Sequence, residues 1–142
     1  FVERAISEGG ELITGGKRLM EETGGYYMQP TIIDGISRHH DLAQEEIFGP
    51  VLAIFSFEDE EEAIELANST SFGLAAGVWT SNLTRAHRMI REIKAGVVHV
   101  NTYGGTDISV PIGGMKQSGN GYDKSMHAIE KYVNLKTAWI KF

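Results

Sequence analysis

Two acidic residues and an aromatic residue precede a strongly apolar run near the centre of the chain. The segment reads Gln44-Glu45-Glu46-Ile47-Phe48-Gly49-Pro50-Val51. An ionised carboxylate only accepts hydrogen bonds, so Glu46 is suited to binding hydroxyl donors. From these residues alone, the favoured interpretation is a helix or turn carboxylate at Glu46 and a core side chain at Phe48.

A second candidate site is the glycine-rich stretch 103–121. Loops longer than about 12–15 residues in compact domains are usually functional. The stretch contains no G-x-G-x-x-G motif after a strand, so it does not predict a dinucleotide-binding turn. Ser118 lacks the flanking glycines of a nucleophile elbow, which favours a structural serine.

The chain contains no cysteine, which excludes disulfides, thiolate metal sites and cysteine nucleophiles within it. Its five histidines show no metal-ligand spacing. His39 and His40 are adjacent, and we expect their side chains to point apart. We therefore predict neither a metal site nor a catalytic residue within these 142 residues.

The elements that position the two candidate sites alternate between strand and helix patterns. We predict strands at 51–57, 75–80 and 97–100, and helices after the acidic run 58–62 and after Asn82. The nearly continuous apolar run 51–57 is expected to be buried on both faces. The second helix carries an expected core stripe of four residues: Leu83, Ala86, Ile90 and Ile93. This alternation predicts an α/β fold with an open, mostly parallel sheet.

Three further elements flank this alternation. Residues 26–33 are aromatic and β-branched, but Pro30 removes a ladder donor, so we predict an edge or bulged strand. Residues 124–132 have a helical pattern. Residues 133–142 alternate like a strand that lacks an evident partner.

Composition narrows the class of protein. The formal net charge is −6, which argues against a nucleic-acid partner. No apolar run approaches the ~18 residues of a membrane span, and the first residues carry no secretion signal. We therefore expect a cytoplasmic protein without a membrane partner. The first residue is Phe1 rather than methionine, so we expect a piece of a longer protein.

The motif E-E-I-F-G-P-V resembles a cofactor-binding segment of the aldehyde dehydrogenase superfamily. The resemblance continues through residues 68–77, Val100-Asn101, P-I-G-G-M-K-Q-S-G and Leu135-Lys136-Thr137, and so covers essentially the whole chain. Residues 116–131 are most similar to enzymes that oxidise γ-glutamylaminobutyraldehyde and related aminoaldehydes. Ile112 and Tyr122 depart from those relatives, which usually carry phenylalanine and arginine there.

The resemblance implies that residues 1–132 form the C-terminal part of an aldehyde dehydrogenase catalytic domain and residues 133–142 an oligomerisation strand. Enzymes of this family use NAD or NADP to oxidise an aldehyde to a carboxylic acid. A cysteine thiolate attacks the aldehyde, hydride passes to the nicotinamide, and a glutamate-activated water releases the acid. Both residues lie upstream in the family order, so we expect this chain alone to be inactive.

The resemblance also assigns site residues. Glu46 matches the family carboxylate on the nicotinamide ribose, since a carboxylate accepts from both hydroxyls of a vicinal diol. Phe48 matches the aromatic residue beside the nicotinamide. Four residues match the aldehyde entrance: Gly104, Thr106, Asp107 and Ile112. Asp107 is the acid typical of aminoaldehyde relatives, where it could attract a cationic or amide-bearing substrate.

The expected partners are a small-molecule aldehyde and further copies of the same chain. The family tail pairs between subunits, which implies a homo-oligomer, a dimer or a tetramer. A second hypothesis stays open at this point. A naturally short, cysteine-free chain could serve as a noncatalytic assembly or binding module derived from the family.

Overall fold

The computed structural model describes residues 1–105 and 107–142. The chain forms two compact units, Phe1–Thr70 and Ser71–Phe142. Each unit contains its own helices and strands, and the expected α/β class is confirmed. The three-stranded sheet of the first unit is mixed, and the second unit has one parallel and one antiparallel strand pair among its described residues.

The first unit contains three helices and five strands among its described residues. They follow one another as α1 (Val2–Ser7), β1 (Glu11–Thr14), β2 (Arg18–Leu19), β3 (Tyr27–Met28), β4 (Thr31–Asp34), α2 (Asp41–Gln44), β5 (Val51–Ala53) and α3 (Glu60–Ala67). A single 3-10 turn, Glu21–Thr23, separates β2 from β3. The helix expected after the acidic run is therefore confirmed as α3, and the side chain of Asp59 caps it by accepting from the Glu62 amide.

The main sheet of the first unit has the order β1-β4-β5. Strand β4 is antiparallel to β1 and parallel to β5, with Thr31 opposite Val51. The predicted strand 26–33 is split at Pro30, and its second half is central rather than an edge. Pro30 lies before β4, so its missing amide removes no hydrogen bond between the strands of the sheet. The register shift lies on the opposing strand, between Leu12 and Thr14.

Strand β5 is shorter and more exposed than predicted. Only Val51–Ala53 of the run 51–57 pairs as a strand, and Leu52 is 56% exposed. Val51 and Ala53 pack against a core formed by Ala5, Ile33, Ile36 and Leu42. Because alternate residues of a strand point to opposite faces, β5 buries one face only, and the expectation of burial on both faces is wrong.

The second unit contains one α-helix and four short strands among its described residues. They are β6 (Phe72–Gly73), β7 (Ala75–Val78), α4 (Leu83–Glu92), β8 (Val97–Val100) and β9 (Met115–Lys116). Strands β7 and β8 are parallel, as predicted, and β6 pairs antiparallel with β9. The helix expected at 124–132 is a 3-10 helix, Met126–Tyr132.

Helix α4 begins where expected, because Asn82 accepts a hydrogen bond from the Arg85 amide. Its buried face differs from the prediction. Ala86, Met89 and Ile93 are buried, whereas Leu83 and Ile90 are exposed. The buried residues have i, i+3, i+7 spacing and so share one helix face. This face is rotated from the predicted stripe: it includes Met89 and leaves out Leu83 and Ile90.

The tail 133–142 has no regular secondary structure and is exposed throughout. The predicted strand is not formed, because a strand needs a partner for its backbone groups and no described segment pairs with the tail. Among the described residues, no helix is long and apolar enough to cross a membrane.

Candidate functional site

The segment 45–50 is held on the first unit by two apolar anchors. Helix α2 ends at Gln44, and the C-cap residue Glu45 has an extended backbone. Leu42 of α2 is buried, and Ile47 packs against the same core. The two anchors fix the path of the chain between them.

Glu46 and Phe48 flank the Ile47 anchor, and both are exposed. Phe48 is 91% exposed, so the interpretation of Phe48 as a core residue is wrong. Its φ is +50°, a left-handed conformation that costs a non-glycine residue about 1–2 kcal/mol. Such outliers cluster at functional sites, where the surrounding structure maintains them.

The chain leaves this segment through a tight turn. The Val51 amide donates to the Gly49 carbonyl at 2.8 Å, and the Pro50 carbonyl accepts from the Thr31 amide of β4 at 2.8 Å. The later end of the segment is therefore fixed on the sheet, and an exposed carboxylate lies two residues from an exposed aromatic ring. The carboxylate offers hydrogen-bond acceptors, and the ring offers a flat apolar surface.

The loop 103–112 in the second unit has two glycines directly after Tyr103. Gly104 and Gly105 have φ of +76° and +75°, and no described atom lies within 4 Å of a Cβ placed on either. Further on, the Ile112 and Asp123 backbones exchange two hydrogen bonds of 2.8 and 2.7 Å. The Ser125 amide also donates to the Ile108 carbonyl at 2.8 Å, so the end of the loop is fixed to the segment before the 3-10 helix.

Asp107 is the best-defined charged group of this loop. Its Oδ1 accepts from the Ser109 hydroxyl at 2.6 Å and from the Ser109 amide at 2.8 Å. These two bonds, with a smaller contribution from the Lys124 charge, hold the pKa of Asp107 below its ordinary value of 3.8. Asp107 is therefore ionised at neutral pH on an exposed loop.

Asn101 is a positioning residue that the sequence reasoning did not single out. It has a φ of +54° and follows β8 directly, where the chain turns into the loop. Asparagine tolerates this conformation better than most residues, and an asparagine after a β-branched run is the signal that could have identified it.

The structure places the predicted site residues on separate units. Glu46 and Phe48 lie together on the first, and Gly104, Asp107 and Ile112 lie on the second. Thr106 lies outside the described residues. In the described part of the chain, no three His, Asp or Glu side chains form a group that could hold a metal ion.

Comparison with known proteins identifies the class. The aldehyde dehydrogenase family profile matches residues 1–138, so the chain belongs to the aldehyde dehydrogenase family. It is 49% identical over 140 residues to the NADP/NAD-dependent aldehyde dehydrogenase PuuC of Escherichia coli strain K12, covering 99% of this chain and 28% of that protein. It is 44% identical to a betaine aldehyde dehydrogenase of Cereibacter sphaeroides, with 99% of this chain and 29% of that protein covered.

Solved structures agree with the sequence relatives. The aldehyde dehydrogenase KauB of Pseudomonas aeruginosa superimposes with a TM-score of 0.93 at 55% identity. The indole-3-acetaldehyde dehydrogenase AldA of P. syringae, in complex with NAD+ and IAA, superimposes with a TM-score of 0.93 at 52% identity. Each comparison covers 99% of this chain and 28% of the other. The chain thus spans less than a third of the length of the relatives it matches.

Proposed function

We propose that this chain supplies the C-terminal part of an NAD(P)-dependent aldehyde dehydrogenase that oxidises an aldehyde to a carboxylic acid. In the overall reaction, an aldehyde, water and NAD(P)+ give a carboxylate, NAD(P)H and two protons. The chain has no cysteine to attack the aldehyde. The nucleophile and the water-activating base therefore belong to a further part of a longer polypeptide, and these 142 residues alone are inactive.

The observation that carries the proposal is the exposed pair Glu46 and Phe48 on either side of the partly buried Ile47 anchor. Bound NAD(P)+ supplies the hydride acceptor for the reaction. Glu46 and Phe48 would hold this group, the Glu46 carboxylate as acceptor for the hydroxyls of the nicotinamide ribose and the Phe48 ring as an apolar surface for the nicotinamide. Holding the ring in one orientation lowers the barrier to hydride transfer, because the reacting atoms are placed in advance.

The loop 103–112 forms the aldehyde mouth in this proposal. Gly104 leaves the mouth wide and Ile112 lines it, while Thr106, which the family resemblance also assigns to the entrance, lies outside the described residues. Asp107 carries the negative charge that attracts a cationic or amide-bearing aldehyde. We therefore propose aminoaldehydes as the substrate class, supported by the similarity to enzymes named for betaine aldehyde, itself a cationic aldehyde.

The tail 133–142 joins subunits in the same proposal. Its backbone has no strand partner among the described residues, and Trp139 is 92% exposed. Unpaired strand-forming segments associate readily with another chain. Pairing of the tail with a second copy gives a homo-oligomer, a dimer or a tetramer.

The test is the intact mass of the protein from its natural source, followed by an assay of aldehyde-dependent NAD(P)H formation. We expect a mass well above 15.6 kDa and turnover that is absent from the isolated 142-residue polypeptide. A natural mass equal to that of these residues, without turnover, would instead support a noncatalytic assembly or binding module. Turnover by the purified 142-residue polypeptide would contradict the requirement for an external nucleophile.

A further inference from the structure

Asn120 is the one asparagine of the chain that is followed by glycine. The other four precede larger residues, in the pairs Asn68-Ser69, Asn82-Leu83, Asn101-Thr102 and Asn134-Leu135. Asparagine is a chemically labile residue, because the next backbone nitrogen lies within reach of its side-chain carboxamide. Glycine has no side chain to shield that nitrogen. The residue types alone therefore mark Asn120-Gly121 as the pair most open to this reaction.

The pair lies in an open turn of the second unit. Asn120 and the glycines on both sides of it are exposed. A Cβ placed on Gly119 meets no described atom within 4 Å. A Cβ placed on Gly121 meets, among the described residues, the flexible side chain of Lys131 at 3.4 Å. Water can therefore reach the pair, and the carboxamide has room to turn.

Neither reacting group is held by a hydrogen bond within the part of the chain that the structure describes. The Asn120 side chain and the Gly121 amide have no partner there. By contrast, Asn82 accepts from the Arg85 amide at 3.0 Å. A carboxamide that caps a helix must lose that bond before it can turn toward the next nitrogen. Asn120 has no such bond to lose.

The fold also keeps glycine next to Asn120. Gly121 has a φ of +80°, a conformation that other residues rarely adopt. The chain on either side is anchored: Ser118 Oγ accepts from the Gly73 amide at 2.9 Å, and Asp123 exchanges two backbone hydrogen bonds with Ile112. The reacting pair thus lies in an exposed stretch between two fixed points.

We propose that Asn120 is a site of spontaneous deamidation through a succinimide. The Gly121 nitrogen bonds to Cγ of Asn120, the Cγ–Nδ2 bond breaks, and Nδ2 leaves as ammonia with the Gly121 proton. The attack is intramolecular, so the reactants are already close together. Water then opens the ring. Opening at Cγ gives aspartate, and opening at the backbone carbonyl carbon gives isoaspartate, whose main chain runs through Cγ.

Both products replace a neutral carboxamide with a carboxylate. The formal net charge of the chain therefore becomes one unit more negative than −6. The reaction needs residues 120 and 121 and water, and no dinucleotide or aldehyde. The inference goes beyond the proposed function and does not depend on it.

The experiment incubates the intact wild-type protein in ¹⁸O-labelled water, native and unfolded in guanidinium chloride, and follows it by peptide mass spectrometry. The label enters the new carboxylate, which separates reaction during incubation from reaction during sample preparation. Asn134, exposed in the tail and followed by leucine, is the internal control. Asn120→Gln is the matched variant, because its carboxamide is one carbon further from the Gly121 nitrogen and closes a ring less readily.

We expect native Asn120 to react within about ten-fold of its rate in the unfolded chain, and Asn134 to react at least about ten-fold more slowly than Asn120. Both aspartate and isoaspartate should form, as distinguished by electron-transfer fragmentation. The rate should fall between about pH 8 and pH 6, because the attacking nitrogen must lose its proton. Isoelectric focusing should show an acidic species in the wild type and not, over the same period, in Asn120→Gln.

Three outcomes would overturn the inference. Native Asn120 that stays intact while the unfolded chain reacts would show that the fold protects the pair. Aspartate without isoaspartate would exclude the succinimide. Equal rates at Asn120 and Asn134 would show that Gly121 has no part in the reaction.

Discussion

The side-chain amide of Asn101 bridges both backbone groups of Thr80. Its Oδ1 accepts from the Thr80 amide at 2.8 Å, and its Nδ2 donates to the Thr80 carbonyl at 2.9 Å. The Asn101 amide also donates to the Val78 carbonyl at 2.8 Å. Asn101 therefore joins the carboxyl ends of β7 and β8 at the point where the loop 103–112 begins.

Replacing Asn101 should separate the bridging bonds from the backbone strain. Asn101→Ala loses both side-chain bonds and leaves alanine at a positive φ, so the free energy of unfolding should fall by about 1–3 kcal/mol. Asn101→Gly loses the same bonds, but glycine adopts a positive φ without strain, so its free energy of unfolding should fall less. Chemical denaturation measures the free energy of unfolding of both variants, with Asn134→Ala in the exposed tail as the control. Equal stability of Asn101→Ala and wild type would contradict the bridge.

Phe48→Gly should change stability and activity in opposite directions. Glycine adopts the φ of +50° without strain, so the free energy of unfolding should rise by up to about 1 kcal/mol. Hydride transfer in the intact protein should slow, because the ring beside the nicotinamide is lost. Phe57→Gly removes another exposed phenylalanine, at a position without a positive φ, and should not slow hydride transfer. Unchanged hydride transfer in Phe48→Gly would remove Phe48 from the cofactor site.

The pH dependence of Asp107 has a definite sign. Its pKa lies below 3.8 in the folded state, so its hydrogen bonds stabilise the fold above pH 3.8, and this contribution is lost as the pH falls through the lowered pKa. Ser109→Ala removes the hydroxyl donor and should raise the pKa of Asp107 toward 3.8, while the backbone donor remains. NMR titration of the Asp107 carboxyl carbon measures the shift, with Ser81→Ala as the control. A titration curve unaffected by Ser109→Ala would exclude the hydroxyl as the main cause.

The tail gives a prediction on assembly. Leu135 and Trp139 are almost fully exposed, so assembly through the tail should bury them. Leu135→Asp should lower the mass of the native oligomer in light scattering and keep the Trp139 fluorescence at the long wavelength of an exposed indole. Lys136→Asp changes a charge in the same tail without removing an apolar contact. An oligomer of the same mass in Leu135→Asp would place the interface elsewhere.

Elements defined by local chemistry could be predicted from the sequence. Asn82 caps α4 as expected, because a cap needs only one short polar side chain and the next three residues. Asp59, within the acidic run expected to precede α3, caps that helix in the same way. The parallel pair β7 and β8 followed from the alternation of strand and helix patterns. The resemblance to the family then provided site residues that the residue types alone would not have selected.

Features set by long-range packing could not be predicted. The exposure of Leu52 depends on whether a second layer covers β5, which no local pattern encodes. The burial of Met89 in place of Ile90 depends on how α4 is rotated about its axis. Consecutive residues of a helix point about 100° apart, so a modest rotation changes which of the two is buried. The role of Asn101 depends on Thr80, a partner distant in sequence that only the fold brings within hydrogen-bond distance.

The most direct test of the account is single-turnover hydride transfer in the intact protein carrying Glu46→Gln, with Glu45→Gln as the adjacent exposed control. An ionised acceptor contributes about 1.5–3 kcal/mol per hydrogen bond, so Glu46→Gln should slow transfer by about ten-fold or more, and Glu45→Gln should not. Equal rates in wild type and Glu46→Gln at saturating dinucleotide would contradict the assignment of the nicotinamide ribose to Glu46.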